Sequence, residues 1–269
     1  MLGEKFSGGE YFVMANILNR KRNREAQEIA QVREVQREAS LKPYEGRHRV
    51  FIVDGAEYLT EEAANCFLKI LEEPPEQVML VLLTAEVGAL PSTLVSRCQL
   101  LELRPLPVST VARELETRHG ADQQKAEEIA RLSGGRLGWA EQAMSSPELL
   151  KRRDQRLATM ESTIRGGLEE RFAYAGRLAS TFGSDRESAR QELALWLEWW
   201  RDLLMVKEGA QELVTNQSRA DSLGSAAEVL GVADIATALS AIGETTEHLE
   251  RNINARLALE ELMLALPQI

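Results

Sequence analysis

The chain has 269 residues, 44% of them apolar, which is length and material for about two domains with packed cores. Aromatics are only 5% while Ala, Leu, Glu and Arg abound, a mixture that favours helices over sheets. A formal charge of -10 with a pI near 5.1 argues against a free-standing basic nucleic-acid binder, so any DNA contact is indirect or shared with partners, and two cysteines (Cys66 and Cys98) exclude a four-cysteine zinc site.

Residues 1–24 hold a Gly8-Gly9 break, an apolar stretch from Tyr11 to Leu18 and the basic cluster Arg20, Lys21, Arg22 and Arg24, read as a solvated helix face. A helix is predicted over Glu25 to Ala39, with Ile29, Val32, Val35 and Gln36 on one side, and Lys42-Pro43 ends it. Val50-Phe51-Ile52-Val53-Asp54 predicts a strand buried on both faces, with Gly55 as its turn. Thr60 caps the next helix, Glu61 and Glu62 suit its first turn, and Ala64, Phe67, Leu68 and Leu71 fall at helical spacing. Pro74-Pro75 stops it. A second buried strand is predicted over Val78 to Thr84, a short helix near Leu90 to Ser96, and a third strand over Gln99 to Leu103. This alternation implies a parallel sheet with right-handed crossovers. It is too small for a full α/β domain, so the sheet is read as incomplete at its amino-terminal end.

Pro105 and Pro107 mark a boundary, beyond which the pattern is helical. Helices are predicted over Val108 to Arg118, Ala121 to Leu132 and Leu137 to Met144, separated by Gly120 and Gly134-Gly135, with Pro147 as a linker. From Leu149 onward long amphipathic helices are expected, broken at Gly183-Ser184, Gly209 and Gly243. The apolar stripe Leu193, Trp196, Trp200, Leu203 and Leu204 reads as core rather than ligand site. There is no signal peptide and no apolar run of ~18 residues, so the chain reads as cytoplasmic with reduced thiols.

The chemistry concentrates in residues 50–75, VFIVDGAEYLTEEAANCFLKILEEPP, which end in Leu71-Glu72-Glu73-Pro74-Pro75, and in Ser96-Arg97-Cys98 downstream. With Asn65, Leu68 and Lys69, this segment resembles the Walker B region of bacterial DNA polymerase III clamp-loader subunits, a family of AAA+ proteins that includes the gamma and delta-prime types. In a Walker B strand a terminal Asp helps hold magnesium and a neighbouring Glu acts on water. Asp54 is present here, but Gly55 stands where the Glu belongs, so Asp54 reads as a strand-end residue capping the turn. No G-x-x-x-x-G-K-[ST] occurs in the sequence. In the family that loop lies upstream of the region where this chain begins, and the resemblance therefore implies an amino-terminally shortened member.

The Ser-Arg-Cys motif of the family carries an arginine that reaches a neighbouring subunit's ATP. The resemblance assigns that role to Arg97, against the plainer reading of an arginine meeting helix-end carbonyls. Thr84 stands where related ATPases place a polar sensor, though a local hydrogen bond is the preferred reading. In Ser133-Gly134-Gly135-Arg136-Leu137-Gly138 the sensor arginine of catalytic subunits is replaced by Gly138, and Arg136 reads as a surface residue. Asn252, Asn254, Arg256, Leu257, Ala258, Leu259 and Glu260 resemble the closing helix of the family's collar, with Leu257, Leu259, Leu262 and Leu264 as core material.

The fold implied is α/β plus all-α: a partial parallel-sheet AAA+ ATPase-like domain (1–105), a three-helix lid (106–147) and a helical collar for oligomerisation (148–269). The implied function is that of a delta-prime-type subunit of the clamp loader, supporting ATP-driven loading of the sliding clamp on primed DNA. It would not be catalytic alone, and it would serve a DNA-directed DNA polymerase holoenzyme. The chain alone would bind no cofactor; ATP and Mg would sit on neighbouring subunits. The implied partners are gamma/tau and delta subunits, the sliding clamp and primed DNA through the complex, with no membrane. The alternatives are a gamma/tau-type ATPase subunit whose phosphate loop is missing, and a degenerate helical scaffold.

Overall fold

The β-branched and aromatic runs around residues 50 and 80 and the helical periodicity after residue 107 separate in space as they do in sequence. A computed structural model describes residues 11–14, 24–40, 48–73, 75–251 and 253–269. Gly8-Gly9, residues 15–18, the basic residues Arg20 to Arg22, Lys42-Pro43, Pro74 and Asn252 lie outside the described residues. The chain forms two compact units, residues 1–103 and 104–269.

In the first unit, strands β1 (Tyr11–Met14), β2 (His48–Asp54) and β3 (Val78–Leu83) form a parallel sheet in the order β1-β2-β3. Helices α1 (Arg24–Ala39) and α2 (Glu61–Glu72) are the crossovers, and the short α3 (Ser92–Val95) follows β3. The core joins Val32 and Val35 of α1, Phe51 and Val53 of β2, Ala63, Ala64, Phe67 and Ile70 of α2, and Leu94. Successive strand residues point to opposite faces. Phe51 and Val53 are therefore buried while Val50 and Ile52 are only partly covered, and Met79 of β3 is 51% exposed. The expectation of strands buried on both faces is corrected accordingly: the described helices cover one face well and leave the other partly open.

The expected third strand over Gln99 to Leu103 is absent, and that segment is irregular, with Leu100, Leu101 and Leu103 at least 65% exposed. A strand exists only through pairing with a neighbour, and an apolar run cannot supply one by itself. Tyr11–Met14 is the third strand instead, its Val13 in register with Val50.

In the second unit α4 (Val108–His119), α5 (Gln123–Leu132) and α6 (Leu137–Ser145) pack around Val111, Leu115, Ala126, Ile129, Ala130, Ala140 and Ala143. Asp122 caps α5 by accepting from the Lys125 N–H at 3.0 Å. Gly135, at φ 80°, lies so close to residues 105–106 that a Cβ would stand 2.6 Å from the Leu106 carbonyl oxygen. Pro147 is not a linker but the first residue of α7 (Pro147–Arg165), where a proline's missing N–H costs nothing.

Helices α8 (Leu168–Ser184), α9 (Arg186–Lys207), α10 (Ala220–Val229), α11 (Val232–Glu250) and α12 (Ala255–Ala265) complete the unit. Leu193, Trp196, Trp199, Trp200 and Leu203 of α9 are at most 1% exposed and form the centre of a larger core. Gly243 does not break a helix; it lies inside α11, where an interior glycine is a cost of only about 1 kcal/mol against alanine. Of the leucines near the carboxyl end, Leu259 and Leu262 are buried, but Leu257 and Leu264 are both 61% exposed. Among the described residues no single helix is long and apolar enough to cross a membrane.

Two buried polar groups organise this core. Arg171 is 5% exposed and donates to four carbonyl oxygens: Met263, Leu266, Pro267 and Ile164, at 2.6–3.1 Å. It thereby satisfies chain ends of α12 and α7 that those helices leave open. Burial pulls its proton affinity down, but an arginine starts so high that it stays charged. Asp202, fully buried on α9, accepts from the N–H groups of Thr215 and Asn216 and from the Asn216 side chain, which pins residues 214–216 to the helix.

Candidate functional site

The residues of the Walker B-like, Leu-Glu-Glu-Pro-Pro and Ser-Arg-Cys segments all lie in the first unit, but they occupy two places. The first place is the carboxyl edge of the sheet. Asp54 ends β2 in register with Leu83 of β3, so Asp54 and Thr84 sit on adjacent strand ends. Asp54 is exposed. The turn that follows it is made by Gly55 at φ 72°, ψ 48°, whose carbonyl accepts from Tyr58 at 3.0 Å. That left-handed conformation suits glycine and penalises any residue with a Cβ. The position where a water-activating Glu would stand therefore has a backbone that disfavours it. The Thr84 hydroxyl accepts from the Glu86 N–H and donates to the Glu86 carbonyl, both at 3.1 Å, so it is engaged within its own turn.

The second place is the far end of α2. Thr60 starts that helix, its hydroxyl accepting from the Ala63 N–H at 3.3 Å, with Glu61 and Glu62 in the first turn. Leu71 packs against the core, and Glu72 and Glu73 end the helix exposed to solvent. Pro75 accepts from the Val78 N–H at 2.9 Å and so leads the chain into β3. After α3, Ser96 donates its hydroxyl to the Thr93 carbonyl at 3.1 Å, and Arg97 donates Nη1 to the same carbonyl at 2.9 Å. Arg97 Nη2 meets Glu72 Oε1 at 2.8 Å, with the arginine side chain 35% exposed. Cys98 packs against the core, where burial pushes its thiol up.

The structure thus joins the two family motifs, Leu71 to Pro75 and Ser96 to Cys98, through one ion pair. It keeps them apart from Asp54 and Thr84. A parallel crossover starts at the carboxyl end of one strand and returns to the amino end of the next. The 12 residues of α2, about 18 Å of helix, therefore carry the chain away from the strand end at Asp54 toward Glu72 and its partner Arg97. Sequence reading did not anticipate the Glu72–Arg97 pair, because 25 residues separate the partners and nothing local ties the two motifs together. Arg136 is exposed, donating Nε to the Ser133 carbonyl at 2.8 Å, and Asn254 caps α12 through the N–H groups of Arg256 and Leu257. Among the described residues there is no group of three or more His, Cys, Asp or Glu placed to hold a metal ion.

A family profile described as DNA polymerase III, delta subunit, matches residues 10–107, and one described as DNA polymerase III, delta subunit, C terminal, matches residues 168–268. The delta-prime subunit of DNA polymerase III from Bacillus subtilis (strain 168) is 27% identical over 247 residues, covering 89% of this chain and 72% of that protein. Tau subunits are similar over shorter stretches: that of Bacillus subtilis is 29% identical over 57% of this chain, and that of Escherichia coli (strain K12) 36% identical over 35% of it. Those stretches are 28% and 16% of the respective tau chains. A solved DNA polymerase III gamma subunit-related protein from Thermotoga maritima aligns over 94% of this chain and 81% of its own, at 20% identity and a TM-score of 0.41. The chain belongs to the DNA polymerase III clamp-loader family, among its subunits of the delta and delta-prime type.

Proposed function

We propose that this chain serves in the clamp loader as a member that does not itself consume ATP and that lends Arg97 to a neighbouring subunit's ATP. The observation that carries this reading is the position of Arg97. Its guanidinium is held at the far end of α2, a helix length from the strand ends where a nucleotide of its own would lie, and it is partly open to solvent. An arginine so placed is suited to act outward. The planar fork of donors can follow a γ-phosphate into its transition state, which a lysine's point charge does not match. Gly55 supports the other half of the reading, namely no independent hydrolysis of ATP, because the water-activating Glu has no place in that turn.

On this reading the partners are gamma/tau and delta subunits, joined through the helices after residue 148, with the sliding clamp and primed DNA engaged by the assembled complex. The setting is the cytoplasm. The helices offer apolar side chains for such contacts: Leu168, Val229, Val232, Leu257 and Leu264 are all at least 44% exposed.

The test compares loaders reconstituted with the wild-type chain and with Arg97→Ala, in the presence of clamp and primed DNA. Arginine fingers are worth about 10³ to 10⁵ in rate at the site they serve. Losing one among several sites should lower total ATPase turnover and slow clamp loading, while assembly stays intact. Equal turnover with equal assembly would reduce Arg97 to a helix-end residue. Calorimetry on the isolated chain should show no ATP binding in the micromolar range.

A further inference from the structure

We infer that Glu72 is a positioning residue for Arg97: the carboxylate at the end of α2 fixes the direction in which the guanidinium is presented to the neighbouring subunit. The inference rests on the reading of Arg97 as a group that acts in trans. Three observations lead to it. Arg97 is held at two points on different elements, Nη1 on the Thr93 carbonyl and Nη2 on Glu72 Oε1. Two fixed points define the plane of a guanidinium, whereas the Thr93 contact alone would leave it free to swing about one bond.

Only two of the five N–H donors are engaged in these two contacts, and the side chain is 35% exposed, so donors remain for a phosphate oxygen. Finally, Glu72 is the last residue of α2, where a negative charge meets the negative end of the helix dipole. A carboxylate in that position gains from a cation alongside it, so the pair is favoured over a solvated Glu72 with a wandering Arg97. The Leu-Glu-Glu-Pro-Pro run and the Ser-Arg-Cys motif then form one device: the first supplies the anchor, the second the reaching group.

The experiment uses the reconstituted loader with clamp and primed DNA, and reads kcat and KM for ATP for Glu72→Ala, Glu72→Gln, Arg97→Ala and the double variant. Thermal melts and gel filtration of each complex confirm folding and assembly. Glu72→Ala should lower kcat about two- to fivefold, the size an exposed ion pair can supply, with KM unchanged. Glu72→Gln, which keeps an oxygen acceptor at the same reach, should restore most of that loss. In the double variant the Glu72 substitution should add nothing to the Arg97→Ala loss, because a positioning residue has no effect once the group it positions is gone.

If Arg97→Ala lowers kcat but Glu72→Ala does not, the positioning role is wrong and the trans role stands. The positioning role is equally wrong if the two losses add in full, or if Glu72→Gln is as slow as Glu72→Ala. If Arg97→Ala itself has wild-type kcat, the trans role fails and the positioning role with it.

Discussion

Gly55 and Arg171 show how single residues constrain this chain in opposite ways. Gly55 sits in the left-handed region, so Gly55→Glu, which would rebuild an Asp-Glu pair after β2, should lose about 1–2 kcal/mol from backbone strain. It should leave ATP binding undetectable. A urea midpoint and a calorimetric titration of the variant check both halves. Arg171 is one of 32 basic residues, and nothing in its sequence neighbourhood marks it. In the fold it donates to four carbonyls at and just past the ends of α7 and α12, three of these contacts fully buried. Arg171→Met keeps much of the apolar stem yet leaves those oxygens unpaired. It should cost about 3 kcal/mol or more, seen as a lower urea midpoint with an unchanged slope. The candidate site was legible at this scale only in part. Arg97, Asp54 and Thr84 could be picked out by motif, but Glu72 as the partner of Arg97 could not, since a contact across 25 residues depends on where α2 ends and where α3 turns.

At the level of the element, α9 ties the second unit together. Trp196 and Trp200 are both fully buried, yet they differ in one bond. The Trp196 indole donates to the Tyr174 hydroxyl at 3.0 Å, which in turn donates to Glu192 at 2.6 Å. The Trp200 indole N–H is buried with no hydrogen-bond partner among the described residues. Trp196→Phe should therefore be the more destabilising of the two conservative changes, by about 1 kcal/mol, because it leaves a hydrogen-bond chain incomplete while Trp200→Phe removes an unpaired donor. Paired urea curves of the two variants measure the difference. The helices themselves were legible from periodicity because their buried faces repeat at a fixed interval, as with Leu193, Trp196, Trp200 and Leu203. The strand expected over Gln99 to Leu103 failed for the converse reason. Strand status depends on a neighbour, and the five residues carry no information about whether one is there.

For the whole molecule, the two units differ in how much they bury. Among the described residues the first holds a single sheet with one well-covered face, packed on Val32, Phe51, Val53 and Phe67, while the second has the tryptophan-centred core and a separate three-helix core. The first should open more readily. All four tryptophans, Trp139, Trp196, Trp199 and Trp200, lie in the second unit, so fluorescence reports that unit alone while far-ultraviolet circular dichroism reports both. Urea curves from the two signals should not coincide, the circular dichroism falling first, and amide exchange over residues 48–83 should be faster than over α9. Coincident curves would mean that the units unfold together.

By itself the sequence determined the family, the helical character after residue 107 and the residues that carry the motifs. Each of these depends on local pattern or on the order of residue types. The tertiary structure alone decided which strands pair, which face of the sheet is covered, that α2 separates Arg97 from Asp54 and Thr84, and that Glu72 holds Arg97. Those are facts about distances between parts of the chain far apart in sequence. They are set by how apolar faces and hydrogen-bonding groups find partners in space.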